Sequence, residues 1–254
     1  MLSAERHSII LRELAKHGTI TIEALGKLLN VSGNTIRRDL SELQNKGQLE
    51  RIQGGAVSIF PKEITSGINY RRMMVQSEEK QSIAREAAKL IQPGKTYIVD
   101  AGTTTQYLIP YLSIANSITI LTNSLDICNM PDPKTTSPII ACGGVLSHAL
   151  HSFVGKPAEE FFSSVNADIL FLGAKGISEQ GLSNENYFET PVKAKMIEAA
   201  EKVVLLADSS KFGRNGLSTF GKLSDIDLVI TDKHANPGFI DFLKTQKIEV
   251  IIAQ

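Results

Sequence analysis

Along residues 2–17, Ile9, Ile10, Leu14 and Ala15 recur at three- and four-residue intervals, which predicts a helix with one apolar face. Gly18 is expected to stop it. Thr21 is placed to cap a second, short helix over residues 22–30, with Glu23 in the first turn where the helix dipole favours negative charge. After a turn at Asn30-Val31, Ser32 is the expected N-cap of a third helix. Its Ile36, Leu40 and Leu43 form a buried stripe, and Asn34, Thr35, Arg37, Arg38 and Ser41 point elsewhere. Gly47 is expected to end that helix, and residues 49–52 followed by Gly54-Gly55 read as a strand and a tight turn, the start of a β wing.

Residues 58–76 have little periodicity and contain Pro61, Gly67 and Arg71-Arg72, the marks of a connector. Ser77 is the expected cap of the helix that follows. Beyond it, apolar runs at 96–101, 117–123, 138–144, 167–176, 202–208, 227–232 and 248–254 alternate with helical stretches, among them 102–112, 191–200 and 238–245. Near-continuous apolar strands of this kind belong to a parallel sheet covered on both faces. The expected architecture is a winged helix-turn-helix domain at 1–57, a connector at 58–76, and a doubly wound, mainly parallel α/β domain at 77–254.

Composition narrows the picture. With 254 residues, 42% of them apolar, there is room for a small domain and a larger one with its own core. No run of eighteen apolar residues and no basic-then-apolar leader is present, so a cytoplasmic protein is expected, with neither a membrane span nor a secretory signal. Cys128 and Cys142 are far from a C-x-x-C spacing, and His148 and His151 lack a third nearby ligand of suitable type, so no metal site and no cofactor are expected. Residues 1–57 carry 8 Lys and Arg against 6 Asp and Glu, and the remainder carries 19 against 21. An excess of two positive charges implies few phosphate contacts per subunit, so tight DNA binding would need a homodimer or homotetramer.

Candidate chemistry lies at two places. In the first domain Asn34, Thr35 and Arg38 are suited to base edges, whereas Ser32, Arg37, Arg51 and the Gly54-Gly55 amides are suited to phosphates. A helical protein-docking module with a solvated Arg37-Arg38 pair is the plainer alternative. In the second domain, ligands are expected at the carboxyl ends of the strands. There Ala101-Gly102-Thr103-Thr104-Thr105 offers amides, hydroxyls and a helix start to an anion, or serves only as a strand-to-helix turn. Leu121-Thr122-Asn123-Ser124, Cys142-Gly143-Gly144 and Gly173-Ala174-Lys175-Gly176 end in the same small polar manner. Asp208 to Gly213 adds Lys211, which read alone is an ordinary surface lysine.

The stretch TIRRDLSELQNKGQLERIQGGAV resembles the N-terminal signature of the DeoR family of bacterial sugar-responsive regulators, and the later segments agree with it. Gln53 departs from the family, which usually carries His before the paired glycines. The resemblance implies a sensor domain with the fold of ribose-5-phosphate isomerase that responds to phosphorylated sugars. Carried over residue by residue, Asp100, Gly102, Thr103, Thr104 and Thr105 match the phosphate loop, and Thr122, Asn123 and Ser124 match a second ligand loop. Gly143, Gly144 and Gly173 match cleft glycines, while Glu189, Lys193, Asp208 and Lys211 match polar positions near the ligand. Lys175 and Ser178 stand where the family usually has acids. Lys175 either alters which hydroxyls are read, adds a charge suited to an acid or second phosphate, or faces solvent. The implied function is repression of a carbohydrate-uptake or catabolic operon by binding operator double-stranded DNA, relieved by a phosphorylated sugar or polyol, with no catalytic residues. The alternative is a sugar-phosphate isomerase-like enzyme with an appended DNA-binding or docking domain, for which Glu189 is the candidate base.

Overall fold

The structure is a computed structural model that describes residues 2–17, 19–45, 48–57, 73, 75–130 and 137–254. The chain forms two compact units, residues 1–71 and 72–254. Gly18, Gly47 and most of the expected connector lie outside the described residues, as does the side chain of Ala15.

The first unit runs through α1 (Ser3–His17), β1 (Thr19–Thr21), α2 (Ile22–Leu29), α3 (Gly33–Asn45), β2 (Glu50–Ile52) and β3 (Gly55–Val57). Both expected caps form: Thr21 Oγ1 accepts the Ala24 amide at 3.1 Å, and Ser32 Oγ accepts the Thr35 amide at 3.2 Å. Ile36, Leu40 and Leu43 of α3 close on Ile10 and Leu14 of α1, on Leu25 and Leu29 of α2, and on Leu49 and Ala56. Leu49 is therefore a core residue just ahead of the strand.

Strand β1 was not anticipated, because three residues carry too little periodicity to be read. It pairs with β3, making a three-stranded wing sheet in the order β1-β3-β2. The hairpin turn is Gln53-Gly54 rather than Gly54-Gly55, since Ile52 already pairs with Gly55.

The second unit starts with α4 (Ser77–Ala88), β4 (Thr96–Val99), α5 (Ile109–Leu112), β5 (Thr119–Thr122), α6 (Leu125–Cys128) and β6 (Ile139–Ala141). A hairpin of β7 (Val145–Ser147) and β8 (Ser152–Val154) and the helix α7 (Lys156–Ser163) precede β9 (Ala167–Leu172). Then come β10 (Gly176–Ser178), β11 (Gly181–Asn184), α8 (Thr190–Glu198), β12 (Ala200–Leu206), β13 (Ser218–Gly221), β14 (Leu228–Asp232), α9 (Pro237–Thr245) and β15 (Glu249–Ala253).

The seven apolar runs make one sheet in the order β15-β14-β12-β9-β4-β5-β6, every pairing parallel. Leu170 and Leu172 of β9 and Val203 and Leu205 of β12 pack with Phe162 of α7, Met196 of α8 and Leu243 of α9. The intervening Phe171 points the other way and stacks on Tyr97 of β4, ring centroids 5.7 Å apart. Helix α4 packs on β12, β14 and β15 through Ile83, Ala84 and Ala87, outside the first cluster, so helices cover both faces.

Three expectations change. Gln76, not Ser77, is the N-cap of α4, in the left-handed region at φ 56; Ser77 is already helical, one residue too late to cap. The helix expected over 102–112 divides into a 3-10 turn, Thr105–Leu108, and α5, where Pro110 has no amide to donate. The strand expected over 167–176 ends at Leu172, which leaves residues 173–175 as a loop. The hairpin β7-β8, helix α7 and the antiparallel sheet β10-β11-β13 were not read at all, being short and of mixed polarity.

One topological feature positions the site. Although β4 precedes the other parallel strands in the chain, it lies inside the sheet: the chain steps outward to β5 and β6, then returns to lay β9 on the other side of β4. The order reverses between β4 and β9, and open α/β sheets bind ligands in the crevice beyond the carboxyl ends at such a reversal.

Candidate functional site

The exposed side of α3 carries Asn34, Arg37 and Arg38, with Thr35 and Ser41 half-buried beside them. Arg37 Nη1 donates to Asn34 Oδ1 at 2.9 Å, and Ser41 Oγ donates to the Arg37 carbonyl at 2.8 Å. Arg51 of β2 joins this group, its Nη1 donating to Ser41 Oγ at 2.6 Å, and Arg38 Nε reaches Glu42 at 3.1 Å across one helical turn. A guanidinium has five N–H donors, so these bonds orient the arginines without exhausting them. Ser32 stands at the amino end of the helix, engaged as its cap.

Of the two wing glycines only Gly54 occupies the turn. Gly55 is buried in the central strand, where a Cβ would come 2.1 Å from the Ile20 carbonyl oxygen, so its absent side chain admits β1. Gly55 as an exposed phosphate contact is thereby corrected.

Asp39 escaped the sequence reading. It is 2% exposed, on the apolar stripe of α3 three residues after Ile36. Arg6 of α1 donates from Nε to Oδ2 at 2.7 Å and from Nη2 to Oδ1 at 2.9 Å, and His7 Nε2 lies 3.3 Å from Oδ1. Burial pushes the Asp39 carboxyl up, but the hydrogen bond and charge of Arg6, aided by His7, outweigh it and hold the group below the usual range. The recognition face is thus oriented on α1 by a buried ion pair. Among the described residues, His7, Asp39 and Glu42 form the one group close enough to hold a metal ion, but Arg6 already supplies a cation to both Asp39 oxygens.

In the second unit a cavity of about 180 Å3 opens at the reversal between β4 and β9. Residues 101–104 after β4 and 173–175 after β9 line it, with Lys211 from beyond β12 and with Asn184, Glu189 and Lys193. Val75 and Lys80 complete the lining from the start of α4. Among the described residues, the amides and hydroxyls of Thr103 and Thr104 make no hydrogen bond, although Thr104 is only 6% exposed. Buried polar groups are ordinarily paired, so these four donors are available to an acceptor in the cavity.

A buried carboxylate holds the two loops together. Asp100 Oδ2 accepts the Gly173 amide at 3.0 Å and pairs with Lys193 Nζ, which also donates to the Gly173 carbonyl at 3.0 Å and lies 5.4 Å from the Phe220 ring centroid. Thr105 Oγ1 accepts the Gly102 amide at 2.9 Å, and Asn123 Oδ1 accepts the Ala101 amide at 2.9 Å. Asp100, Thr105 and Asn123 therefore stand behind the loop and shape it. Asp208 stands behind Lys211 in the same way, its Oδ2 lying 3.7 Å from Lys211 Nζ.

Glu189 is buried in the lining, accepting from Ser152 Oγ at 3.0 Å and from Asn184 Nδ2 at 2.6 Å. Burial pushes its pKa above the ordinary glutamate value; Lys193 opposes the rise and Asp100 adds to it. Lys175 lines the cavity and also meets exposed Glu185 at 3.0 Å, whereas Ser178 is engaged with Asn215 at 2.5 Å.

Besides Asp100, Thr105, Asn123 and Asp208, which stand behind the lining, four expected effector residues are not brought to the cavity at all. Thr122 Oγ1 donates to the Val99 carbonyl at 2.6 Å, Ser124 caps α6, and Gly143 and Gly144 turn the chain from β6 into β7. They belong to the ends of β5 and β6, on the side of β4 away from the reversal.

Lys80, Val75 and Asn184 were missed. Lys80 did leave a signal, since it falls on the stripe of Ile83, Ala84 and Ala87, where a charge is out of place; Asn184 ends a strand that was not read. Burial pushes both thiols up, Cys142 to about 12, which favours the protonated form over the thiolate. Among the described residues no helix is long and apolar enough to cross a membrane.

Residues 6–62 match the description of a DeoR-like helix-turn-helix domain, and residues 75–233 match that of a DeoR C-terminal sensor domain. The chain is 36% identical over 255 residues to the HTH-type transcriptional repressor GlcR of Bacillus subtilis, covering 100% of this chain and 98% of that protein. It is 34% identical over 233 residues to the glycerol-3-phosphate regulon repressor of Escherichia coli, covering 91% and 92%. Among solved structures, ribose 5-phosphate isomerase A of Methanocaldococcus jannaschii aligns with 54% of this chain and 55% of its own, at 18% identity and a TM-score of 0.38.

Proposed function

The chain belongs to the DeoR family of transcriptional regulators, and from that premise we propose that it represses a carbohydrate-uptake or catabolic operon and is released from its operator by a phosphorylated sugar or polyol. Residues 1–57 read DNA and residues 77–254 bind the effector. What carries the reading is one chain holding two separate chemistries: an exposed polar helix face with two arginines, joined by a third from the wing, and a cavity that offers unpaired Thr103 and Thr104 donors beside lysines.

Asn34, Thr35 and Arg38 meet base edges, whereas Ser32, Arg37, Arg51 and the Gly54 turn meet phosphates. In the cavity the phosphate lies against Gly102, Thr103 and Thr104, and Glu189, Lys193, Lys175 and Lys211 meet the rest of the ligand. The ligand acts by linkage: if it binds better to an arrangement of subunits that misplaces the recognition helices, operator affinity falls by the same factor.

The isomerase reading is weaker on this geometry. Glu189 has the raised pKa of a candidate base, but both its oxygens are held by Ser152 and Asn184, and positions 175 and 178 carry no acid. The sensor therefore binds without turnover, and NMR of phosphorylated aldoses incubated with the protein is expected to show no ketose.

The deciding experiment is an anisotropy titration of the full chain on DNA from upstream of its own and neighbouring genes, with sugar phosphates and the matching free sugars. Specific, salt-sensitive binding weakened by one phosphorylated compound is expected. Equal affinity for random DNA under every condition would refute the proposal.

A further inference from the structure

The seven-stranded sheet ends in β15 on one side and β6 on the other, and the two edges differ in charge. β15 carries Glu249 in the strand, with Lys244 and Lys247 just ahead of it. Charges of this kind ordinarily guard an edge, because unpaired amides and carbonyls invite another strand. β6 has no such guard. Residues 135–155, which hold β6 and the β7-β8 hairpin, contain no Asp, Glu, Lys or Arg in a chain that is 21% charged. A second uncharged run, 101–125, is mostly buried, but within 137–155 only Ser137, Cys142, Ser152 and Val154 are. Ile140 is 42% exposed and Val145 67%, and Ala141 and Ala149 are exposed as well.

The backbone of β6 is open on its outer side. The Ile120 amide donates to the Pro138 carbonyl at 3.0 Å, and the Cys142 amide donates to the Thr122 carbonyl at 2.9 Å. In a parallel ladder with this register, residues 138, 140 and 142 turn their backbone groups toward β5, and Ile139 and Ala141 turn theirs away. Among the described residues those outward amides and carbonyls meet no partner. Pro138 faces β5 and so removes no outward donor.

We infer that β6 and the β7-β8 hairpin form an interface between two copies of this chain, with the β6 strands paired antiparallel about a two-fold axis at Ile140. Turned about that axis, Ile139 of each copy stands opposite Ala141 of the other, and their free amides and carbonyls exchange hydrogen bonds. Each Ile140 then packs on its counterpart. An uncharged surface meets its own copy without like-charge repulsion, and interface cores are depleted in charge. Three paired residues are too few alone, since a specific interface buries about 1,000 Å2 or more; the hairpin, with Val145 and Ala149 exposed on it, supplies the rest. The interface lies in the second unit and holds whatever the cavity binds.

The test uses the full chain without DNA or ligand. Sedimentation over a dilution series is expected to show dimers or an even multiple of them. Ala141→Pro removes one outward amide and leaves the bonds to β5 in place. Val145→Glu puts a charge outside the large sheet. Each is expected to halve the particle mass at unchanged circular dichroism, whereas Ile252→Lys, at the guarded edge, leaves the mass as it is. Amide exchange followed by NMR is expected to slow at Ile139 and Ala141 as the chain is concentrated, with Ile140, turned toward β5, slow throughout.

A monomer at every concentration, or either folded variant with the mass of the parent, would overturn the inference. So would exchange at Ile139 and Ala141 that is slow at every dilution of a monomer, which would mean that the chain itself covers the edge. If neither variant folds, exchange in the parent decides. DNA has no part in these measurements, so failure of the repression reading would leave their outcome unchanged.

Discussion

Asp39 and Glu189 are both buried carboxyls, and the balance between burial and partners moves them in opposite directions. At Asp39 the guanidinium of Arg6 prevails over burial, so the folded pKa is depressed. The stability this contributes is present above the unfolded value and is lost as pH falls through the folded one. Removing Arg6 strands the buried Asp39 carboxylate, and Arg6→Ala is expected to lower the unfolding midpoint of the first unit. Urea unfolding followed by amide signals from residues 3–57 checks this; an unchanged midpoint would mean that the pair contributes nothing.

At Glu189 burial prevails, so the folded pKa is raised. Its contribution is full below the unfolded value and is lost as pH rises through the folded one. Glu189→Gln cannot ionise, and Asn184 can turn its amide to match. This variant is expected to gain thermal stability over the parent at neutral pH and none in acid. Parallel melting curves at every pH would contradict the assignment.

On the proposed reading, helix α3 and strand β2 divide the work of meeting DNA. Arg38 projects from the helix with one exposed partner, Glu42, which an operator base can displace at small cost. Arg51 is braced from the wing against Ser41. Arg38→Ala is therefore expected to cost roughly 1–3 kcal/mol at the operator and to relax specificity, whereas Arg51→Ala weakens operator and random DNA alike and lowers the salt slope by about one. Anisotropy titrations at several salt concentrations separate the two, and identical losses on both DNAs for both variants would dissolve the division. Helices α1, α2 and α3 were legible because their caps and stripes are local: Thr21, Ser32 and Ile36-Leu40-Leu43 act over three or four residues. Strand β1 and the sheet β10-β11-β13 were not legible, because three- and four-residue strands gain their identity from partners far along the chain.

The proposed DNA binding calls for more than one copy of the chain. The first carries two more basic than acidic residues, counting 8 Lys and Arg against 6 Asp and Glu in residues 1–57, which is too few for tight binding by one copy. Two copies on one site predict an operator with inverted half-sites about one helical turn, or a multiple of it, apart. Footprinting checks this, and a single protected half-site saturated by one chain would exclude it.

The sequence alone determined the three helices of the first unit, the seven strands of the large sheet with their parallel character, and the presence of a DNA-reading helix, because caps, stripes and apolar runs are written in neighbouring residues. It also named Gly102, Thr103, Thr104 and Gly173 as candidates, since loops after parallel strands are where ligands bind. Only the tertiary structure decided which strand ends share a cavity. Order reverses between β4 and β9, so their loops meet there, while those of β5 and β6 are turned to holding the fold. Tertiary structure likewise decided that two charges on apolar stripes, Asp39 and Lys80, are buried: one meets Arg6, 33 residues earlier, and the other meets a cavity whose remaining walls come from four separate parts of the chain. A residue's own neighbours cannot specify such distant partners, and burial by them is what sets its charge and its role.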